Sequence, residues 1–543
     1  MSGGGANSGE DRRLRRLIAG LVVVRASGTL SDHQRGYPQW ELTNGALQAL
    51  LKEGLGGVIL LGGSAAELAL RTRQLQSWSS QPLLLCADVE EGVGQRFAGA
   101  SWLVPPLALG RLHTHDPDRA LALAERYGAC CGRDARAVGL NWVLGPVCDV
   151  NNNPANPVIN VRAWGEEPAV AGALAAAFVR GLQANGVLGC AKHFPGHGDT
   201  SCDSHLELPL IPHSRERLEQ VELPPFRQAI AADVAAVMTA HLLLPALDPD
   251  RPATLSPAVL DQLLRRELGF KGLVVTDALV MEAIAAHTGP GEAAVQALEA
   301  GADLVLMPAD AWAAIRAIEM AVHSGRLERS RLEASAERRR QALARCTPAL
   351  VDPMQAAQPD QALTSALLAA TLETHGPGSG LDPAGWRSKG PGVNLVRVDQ
   401  ALQAPYLAAA APALRLPGAA GLGTCLIGAD TPSPWSGDPA EPLTLDRLGP
   451  GPVLLQLFLR GNPFRGQAGS EEPWAAAILQ LLQAERLAAL AVYGSPYLWD
   501  ALRPLLPPTL PAAFSPGQMP AAQAAVLEAL GLGETGDSGA FTD

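Results

Sequence analysis

The residues best suited to chemistry lie in one short stretch, Lys192 to His205. It reads Lys-His-Phe-Pro-Gly-His-Gly-Asp-Thr-Ser-Cys-Asp-Ser-His and holds three histidines, two aspartates and one lysine. Its glycines and its proline exclude a regular helix. The stretch is therefore predicted to be a loop that leaves a strand and carries the functional groups.

Two kinds of chemistry fit this loop. Its histidines and aspartates are suitable ligands for zinc or a related metal ion. Alternatively, Asp203 and His205 form a dyad, because residues two apart in an extended segment share a face and the carboxylate can orient the imidazole. Such a histidine can protonate a leaving oxygen and later take a proton from water. A purely structural loop is the third interpretation.

A second chemical candidate is Asp277, which ends the apolar run Val274-Val275-Thr276-Asp277. A carboxylate at such a strand end can attack an anomeric carbon, because the transition state of glycoside cleavage resembles an oxocarbenium ion. The alternative is an ordinary helix N-cap for a helix from Ala278 onward. The residue types alone leave both interpretations open.

Eight short apolar runs must position these groups. Most of the runs are separated by helix-like segments rich in Ala, Leu and Arg. The runs are 18–24, 57–61, 83–88, 140–149, 187–193, 235–241, 272–277 and 303–307. This alternation over about 300 residues predicts a (β/α)8 TIM-type barrel, with an open doubly wound sheet as the alternative. Polar residues end five of the runs, at Asp88, Asp149, Lys192 with His193, His241 and Asp277, and barrels build active sites at that end.

The remainder of the chain predicts a second, smaller domain of the α/β sandwich type. Residues 309–348 look helical and highly charged, residues 372–391 are rich in Gly and Pro, and further strand candidates follow at 393–398, 424–428, 453–459 and 490–493. The predicted organisation is a disordered extension over 1–16, a catalytic barrel over 17–350, a linker over 351–391 and the α/β domain over 392–543.

Composition excludes several classes of function. The formal net charge of −12, with no long basic patch, argues against a nucleic-acid partner. No apolar run approaches the length of a membrane span, and the short apolar stretch after Arg12–Arg16 is predicted to be a core strand rather than a signal peptide. The eight cysteines show no paired CxxC spacing, which argues against a structural zinc site, and most of them lie in apolar segments, which suits reduced, buried thiols. A cytoplasmic enzyme is expected.

The long loop motif carries a family resemblance. It is similar to the Lys-His-Phe-Pro-Gly-His-Gly-Asp-Thr-x-x-Asp-Ser-His signature of glycoside hydrolase family 3, in its bacterial β-N-acetylhexosaminidase branch. The resemblance covers about residues 18–345. It includes the segment from Asn156 to Gly165, the sixth-strand motif Met238-Thr239-Ala240-His241 and the segment Leu268–Gly272 before the strand that ends at Asp277.

The resemblance implies a role for each matching residue. Asp277 matches the catalytic nucleophile, His205 the general acid/base and Asp203 its polarising partner. The positions that match residues holding sugar hydroxyls are Asp88, Arg96, Arg162, Lys192 and His193. Their chemistry fits this role, because Asp accepts hydrogen bonds from hydroxyls whereas Arg and Lys donate them.

The sequence departs from the family pattern at a few positions. The family segment Asp-x-Glu-Gly-Gly-Arg-Val-x-Arg is represented here by residues 88–96, in which Glu91 replaces a glycine, Val93 an arginine and Gly94 a valine. Ala278 stands where a second aspartate commonly follows the nucleophile. These departures bear on substrate preference and rate, and they leave the expected catalytic residues in place.

The resemblance implies a retaining, exo-acting β-N-acetylglucosaminidase that works by double displacement, needs no cofactor or metal and acts on a small glycan, with peptidoglycan fragments as the expected source. Rival interpretations on the same fold are a glycoside phosphorylase, with phosphate in place of water, and a β-glucosidase. Rivals of another class are a metal-dependent hydrolase and a non-catalytic glycan-binding protein.

Overall fold

The computed structural model describes residues 4–200, 208–285, 288–289, 291–348, 352–377, 390–398, 404–428, 445–460 and 474–533. Within it the chain folds as two units, Met1–Leu363 and Thr364–Asp543. Both units alternate strands with helices, so the prediction of a two-domain α/β protein is confirmed.

The first unit contains eight short parallel strands. They are β1 (Val22–Ser27), β2 (Gly57–Leu61), β3 (Leu84–Ala87), β4 (Trp142–Val143), β5 (Cys190–Phe194), β6 (Ala236–Thr239), β7 (Leu273–Val275) and β8 (Val305–Leu306). Most of their residues are buried, as expected for strands covered on both faces. Each strand falls within or beside one of the eight apolar runs of the sequence.

These strands form two sheets. Five strands are ordered β4-β3-β2-β1-β8 and three are ordered β5-β6-β7. Single bridges connect Trp142 with Leu188, next to β5, and Val275, in β7, with Leu304. The edge strands of one sheet are therefore connected to the edge strands of the other, at β4 with the start of β5 and at β7 with the start of β8.

Helices follow the strands along the chain. They are α1 (Gly4–Ala19), α2 (Asn44–Glu53), α3 (Ala65–Trp78), α4 (Leu107–His113), α5 (Pro117–Ala137), α6 (Pro168–Gln183), α7 (Arg215–Gln220), α8 (Pro224–Ala231), α9 (Glu282–Ala285), α10 (Glu292–Ala300), α11 (Ala311–His323), α12 (Arg329–Ala344) and α13 (Pro353–Ala356), with a π-type helix over Ala258–Glu267. Short 3₁₀ turns occur at Asp32–Gln34, Val93–Gln95, Asn160–Arg162 and Ala253–Leu255.

Local sequence explains where several helices begin and end. The side chains of Thr43 and Ser64 accept hydrogen bonds from backbone N–H groups in the first turns of α2 and α3. Asp116 caps α5, and Pro117 occupies its first turn. α2 ends at Gly54, whose φ of 107° suits glycine. These are the capping residues that satisfy the free groups of helix ends.

The N-terminal extension differs from the expectation of disorder. Residues 4–19 form α1, and Leu14 and Ile18 lie on one face of it and are buried. The charged and Gly-rich composition concealed this apolar spacing of four residues, which is typical of an amphipathic helix. The first strand begins at Val22 as a result.

A buried carboxylate ties together the elements around β7 and β8. Asp303, just before β8, is fully buried and accepts hydrogen bonds from the side chains of Arg265, Arg331, Ser335 and Arg338. It also accepts from the backbone N–H of Val274 in β7, at 3.0 Å. Asp303 therefore links two strands to the π-type helix and to α12.

The described residues of the second unit form one sheet of six strands. In chain order the strands are β9 (Glu373–His375), β10 (Val393–Val398), β11 (Gly423–Ile427), β12 (Val453–Leu459), β13 (Leu487–Gly494) and β14 (Ala512–Ser515). The sheet order is β11-β10-β12-β13-β14-β9, and only the edge pair β14–β9 is antiparallel among the described strands.

Helices cover both faces of this sheet. The unit contains α14 (Gln361–Thr371), which begins just before its first residue, followed by α15 (Pro412–Ala419), α16 (Trp474–Gln483), α17 (Pro496–Leu502) and α18 (Pro520–Ala529), with 3₁₀ turns at Pro405–Leu407, Leu445–Leu448 and Arg503–Leu505. Side chains alternate along β12, so that Leu455 and Leu457 pack with α16 and α17, whereas Leu454 and Phe458 pack with α15 and α18.

The predicted linker over 351–391 differs from the structure in part. α13, α14 and β9 lie inside it. One face of α14 is apolar and buried through Leu363, Leu367 and Leu368. The prediction of a linker rested on the Gly- and Pro-rich residues further along the chain and overlooked this helical spacing. Residues 378–389 lie outside the described part of the chain, and the domain boundaries as such stay a prediction.

Among the described residues, no helix is long and apolar enough to cross a membrane.

The Asp303 cluster generates a stability prediction. Asp303→Asn removes the buried negative charge that three arginines share, so the N-terminal unit should lose about 3 kcal/mol of unfolding free energy. Asp261→Asn is the matched control, because Asp261 pairs with Arg266 at the surface and should change stability by less than about 0.5 kcal/mol. Scanning calorimetry and urea unfolding measure both variants. Equal stability of Asp303→Asn and Asp261→Asn would contradict the linking role of Asp303.

Candidate active site

A lysine buried between two carboxylates forms the centre of the candidate site. β5 carries Lys192, whose side chain is 2% exposed. Its Nζ lies 2.7 Å from Oδ1 of Asp88, the residue that follows β3, and 2.7 Å from Oε1 of Glu90. Two of the predicted sugar-binding residues, Asp88 and Lys192, are therefore in direct contact.

Arg162 extends this cluster through Glu90. Its Nε and Nη2 donate to the two carboxylate oxygens of Glu90 at 2.7 and 2.9 Å, a bidentate arrangement that fixes both planes. The 3₁₀ turn that contains Arg162 is held further by its own Nη1, which donates to the Val158 carbonyl at 2.9 Å. Glu90 thus joins Lys192 to Arg162.

The charges in this cluster stabilise one another. Burial alone would lower the pKa of Lys192, but the Asp88 and Glu90 carboxylates outweigh it and hold that pKa above its ordinary value. Burial alone would raise the pKa of Glu90, but Arg162 and Lys192 hold it well below its usual range. All of these groups stay ionised at neutral pH, so the site presents a fixed pattern of charge.

Arg96, in the loop after β3, also contacts Asp88. Its Nε donates to the backbone carbonyl of Asp88 at 3.2 Å. This loop turns at Gly92, which has a φ of 80°, and a Cβ there would lie 2.3 Å from the Ser101 carbonyl oxygen. Only glycine fits this close approach, which brings Arg96 back toward Asp88.

Asp149 organises the beginning of the chemistry-bearing loop. Its fully buried carboxylate contacts Nδ1 of His193 at 2.7 Å and accepts from the backbone N–H of His197, also at 2.7 Å. Because the carboxylate accepts the proton of Nδ1, the neutral His193 ring has Nε2 as its unprotonated nitrogen. No described residue hydrogen-bonds this Nε2.

Asp277 lies just beyond β7, and its charge acts on a thiol of β5. Burial raises the pKa of the Cys190 thiol, Lys192 opposes that shift, and the carboxylates of Asp88 and Asp277 add to it. Both carboxylates therefore act on one thiol of β5. One Asp277 oxygen accepts from the Ala278 N–H at 2.7 Å, and no helix begins at Ala278, since α9 starts at Glu282.

His241, at the end of β6, supports the backbone next to Asp277. Its Nε2 lies 3.0 Å from the Ala278 carbonyl oxygen, which can only accept, so Nε2 carries the proton in this hydrogen bond. Its Nδ1 lies 2.8 Å from the Thr254 hydroxyl. Two hydrogen bonds thus fix the ring that holds the residue after Asp277.

The predicted dyad, Asp203 and His205, lies outside the described residues. The described part of the loop before it is well anchored. The Asn156 amide donates to the carbonyls of His197 and Gly198 at 2.9 and 2.8 Å. Asp199 lies 2.9 Å from the His213 ring nitrogen. Both flanks of the predicted dyad are therefore connected to fixed parts of the unit.

Sequence reasoning assigned no role to three residues that matter here, Glu90, Asp149 and His241. Asp149 and His241 had been noted as polar strand ends. Glu90 follows Asp88 by two positions, so an extended segment would present both carboxylates on one face. That spacing was the available indication of its position.

Glu91, which replaces a glycine of the family pattern, has a defined partner in the structure. The Glu91 side chain is buried, and it accepts a hydrogen bond from the Trp102 indole N–H at 3.2 Å. It therefore takes part in holding the loop that returns Arg96 to Asp88. As for metal sites, no group of three or more His, Cys, Asp and Glu side chains suited to a metal ion occurs in the described ranges.

Comparison with known proteins identifies both domains. Residues 14–341 match the glycosyl hydrolase family 3 N-terminal domain, and residues 386–531 match the bacterial glycosyl hydrolase family 3 C-terminal domain. A β-N-acetylglucosaminidase of this family from a Paenibacillus species has a solved structure with 31% identity and a TM-score of 0.74, covering 95% of this chain and 96% of that one.

Two curated relatives are beta-hexosaminidase A of Pseudoalteromonas piscicida and the beta-hexosaminidase of Stenotrophomonas maltophilia. They are 38% identical over 276 residues and 37% identical over 273 residues, which is 47% and 49% of this chain. The matches span 46% of the first relative's length and 80% of the second's.

The two matched domains define a glycoside hydrolase. The chain belongs to glycoside hydrolase family 3.

The buried His197 ring leads to a prediction about how stability depends on pH. Burial lowers the pKa of His197 from 6.5 to about 4, so the fold favours the neutral ring and the unfolded chain binds the proton first as pH falls. The stabilisation associated with the neutral ring is fully present above about pH 6.5. As pH falls to about 4 it is lost, and the free energy of unfolding decreases by about 3 kcal/mol over this range. The difference in unfolding free energy between the unsubstituted protein and His197→Gln should therefore become smaller as pH falls, because glutamine does not titrate.

Urea unfolding between pH 7 and pH 4.5 measures this difference. His115→Gln, at an exposed position, is the control for a general effect of removing a histidine. A difference between the protein and His197→Gln that stays constant with pH would contradict a neutral, buried His197.

Proposed function

We propose that this chain is a retaining, exo-acting β-N-acetylglucosaminidase. The observation that carries the proposal is the ion-paired cluster of Asp88, Lys192, Glu90 and Arg162 at the carboxyl ends of strands, the end at which Asp277 follows β7. The hexosaminidase names of the relatives and of the Paenibacillus structure support the choice of sugar.

In the proposed first step, a carboxylate oxygen of Asp277 attacks the anomeric carbon of a terminal β-linked N-acetylglucosamine. The bond to the leaving oxygen breaks, and that oxygen takes a proton from the general acid. A glycosyl ester on Asp277 results. In the second step water attacks the same carbon, the base takes its proton, and the carboxylate is released with retention of configuration.

The described residues suit the binding of this sugar. Lys192 contacts Oδ1 of Asp88, so Oδ2 is available to accept from a sugar hydroxyl. The Nη groups of Arg96 and Nε2 of His193 make no hydrogen bond with any residue of the described ranges. Donors on Arg96 and acceptors on Asp88 and His193 that are fixed in this way discriminate between sugars, because an unmatched buried group costs free energy.

The acid/base role of His205, with Asp203 as its partner, stays a prediction from the sequence. A histidine suits this task, since its ordinary pKa lies near neutrality and no strong desolvation is needed to reach it. The contact of Asn156 with the preceding loop, and that of Asp199 with His213 beyond the predicted dyad, support a defined starting point for such a residue.

We also propose that the eight strands of the first unit close into a (β/α)8 barrel. The bridges Trp142–Leu188 and Val275–Leu304 support this, because they join the two sheets at both edges. The second unit is proposed as a three-layer α/β sandwich, supported by helices on both faces of its sheet. The domain boundaries at 17–350 and 392–543 belong to the same proposal.

Peptidoglycan-derived fragments are the proposed natural source of the sugar, and the cytoplasm is the proposed location. Both rest on the sequence resemblance and on composition.

Substitution of the nucleophile tests the proposal. Asp277→Asn should lower kcat for nitrophenyl β-N-acetylglucosaminide on the order of a thousandfold or more, because an amide cannot form the glycosyl ester. The protein itself should turn over the nitrophenyl β-glucoside much more slowly than the N-acetylglucosaminide. Nitrophenol release measures both.

Asp261→Asn is the matched control and should keep full activity. Full activity of Asp277→Asn would contradict the mechanism, whereas preference for the β-glucoside would contradict the assigned sugar. Formation of a sugar 1-phosphate when phosphate is added would show that the enzyme is a phosphorylase rather than a hydrolase.

A further inference from the structure

Asp149 is a fully buried carboxylate that takes no part in the proposed bond-breaking steps. The segment that contains it, after β4, runs beside β5. The Lys192 N–H donates to the Pro146 carbonyl at 3.1 Å, and the Cys148 N–H donates to the Lys192 carbonyl at 2.6 Å. These backbone hydrogen bonds bring Asp149 next to His193, the residue that follows Lys192.

Four polar contacts fix the Asp149 carboxylate. Its Oδ1 accepts from the backbone N–H of His197 at 2.7 Å and from that of His193 at 3.2 Å. Its Oδ2 lies 2.7 Å from Nδ1 of the His193 ring and 3.3 Å from the backbone nitrogen of the same residue. Oδ1 therefore serves the backbone, whereas Oδ2 mainly serves the imidazole. Because an ionised carboxylate only accepts hydrogen bonds, Nδ1 of His193 carries the proton.

This arrangement leaves the neutral His193 ring with a lone pair on Nε2. The side chain is only 8% exposed, and Nε2 has no hydrogen-bond partner within the described ranges. An acceptor that is largely withdrawn from water and lacks a donor costs free energy. Nε2 is therefore suited to a ligand that supplies a hydrogen-bond donor.

A sugar hydroxyl is the donor that fits this position. His193 adjoins Lys192, whose Nζ contacts Asp88 at 2.7 Å, and both residues are among those expected to hold sugar hydroxyls. A hydroxyl can donate to a lone pair, whereas fluorine or an O-substituted oxygen has only lone pairs to offer. An acceptor that cannot change its tautomer discriminates between these groups, because the wrong substituent leaves it unpaired.

We propose that Asp149 is a positioning residue that locks His193 in the Nδ1–H tautomer, so that Nε2 accepts a hydrogen bond from one hydroxyl of the terminal sugar. This inference rests on the proposed function and narrows its substrates to sugars in which that hydroxyl is free. A sugar that is acylated, alkylated or further glycosylated at this oxygen has no proton to donate there and is rejected.

Asp149→Asn changes the tautomer and keeps the size of the side chain. The backbone N–H of His197 retains the amide oxygen at the position of Oδ1, so the amide NH2 takes the place of Oδ2 and donates to Nδ1 of His193. The proton of the ring then moves to Nε2. An amide in place of the carboxylate that orients a histidine presents the wrong tautomer in this way. The variant should therefore tolerate an acceptor-only substituent that the unsubstituted protein rejects.

Nitrophenyl β-N-acetylglucosaminide and its 3-, 4- and 6-deoxyfluoro analogues test this expectation. In the unsubstituted protein, replacement of one of the three hydroxyls by fluorine should lower kcat/KM at least about tenfold more than replacement of the others. In Asp149→Asn the penalty at that position should be at least about tenfold smaller. Fluorine also slows the reaction inductively, but this effect is common to both proteins and cancels in the ratio of the two penalties.

Asp303→Asn is the matched control, because it converts another fully buried carboxylate into an amide. It should lower stability and leave the three fluorine penalties unchanged. Nitrogen-15 NMR of histidine-labelled protein, with the His193 signals assigned through their loss in His193→Gln, reports the tautomer without turnover. It should show a protonated Nδ1 and an unprotonated Nε2 in the unsubstituted protein, so the inference stays testable even if Asp149→Asn folds poorly.

The outcomes separate this inference from the proposed function. A fluorine penalty that is the same in Asp149→Asn and in the unsubstituted protein assigns Asp149 a merely structural role and overturns the inference. A His193 ring that is protonated at Nε2 in the unsubstituted protein also overturns it. In both cases turnover of nitrophenyl β-N-acetylglucosaminide still supports the proposed function. Absence of that turnover in the folded protein overturns the proposed function and this inference together.

Discussion

The burial of the Lys192 ammonium group is the constraint on which the site depends. A lysine that is 2% exposed requires charge partners, because an isolated buried cation is strongly disfavoured. Asp88 and Glu90 supply them from the loop after β3, and Arg162 completes the set from a different loop. Three segments far apart in sequence are therefore held together by ion pairs that lose their stabilising effect if any member is removed. Rigid positioning of this kind is what a sugar site needs, since the donors and acceptors must be fixed before the substrate arrives.

Around this cluster, each neighbouring group is positioned by another buried contact. Asp149 orients His193 and the first turn of the loop, and His241 fixes the carbonyl next to Asp277. At the opposite ends of β7 and β8, Asp303 anchors the strands to α12 and the π-type helix. The carboxyl ends of the strands carry the proposed chemistry, whereas Asp303, at their amino ends, serves stability. This division is typical of α/β enzymes built on parallel strands.

Much of the fold was predictable because it depends on local patterns. Apolar runs such as Gly57–Leu61 and Val453–Leu459 became strands at the expected positions. The parts that were not predictable depend on distant partners or on weak local patterns. Glu90 pairs with residues about 70 and 100 positions away, and the charged segment with Arg338 and Arg339 directs both side chains inward, to Asp303 and to the Gly56 carbonyl. In α1 the apolar spacing of Leu14 and Ile18 was concealed by the arginines between them.

The central claim is that Asp277 becomes covalently attached to the sugar, and trapping that ester tests it most directly. A 5-fluoro N-acetylglucosaminyl fluoride slows both steps by destabilising the oxocarbenium-like transition state, while its good leaving group keeps the first step faster than the second. After brief incubation, intact-mass measurement and peptide mapping should find one added glycosyl residue on the peptide that contains Asp277, and none in Asp277→Asn. A stable adduct on another residue, or turnover with no adduct on Asp277 under any quenching condition, would contradict the account.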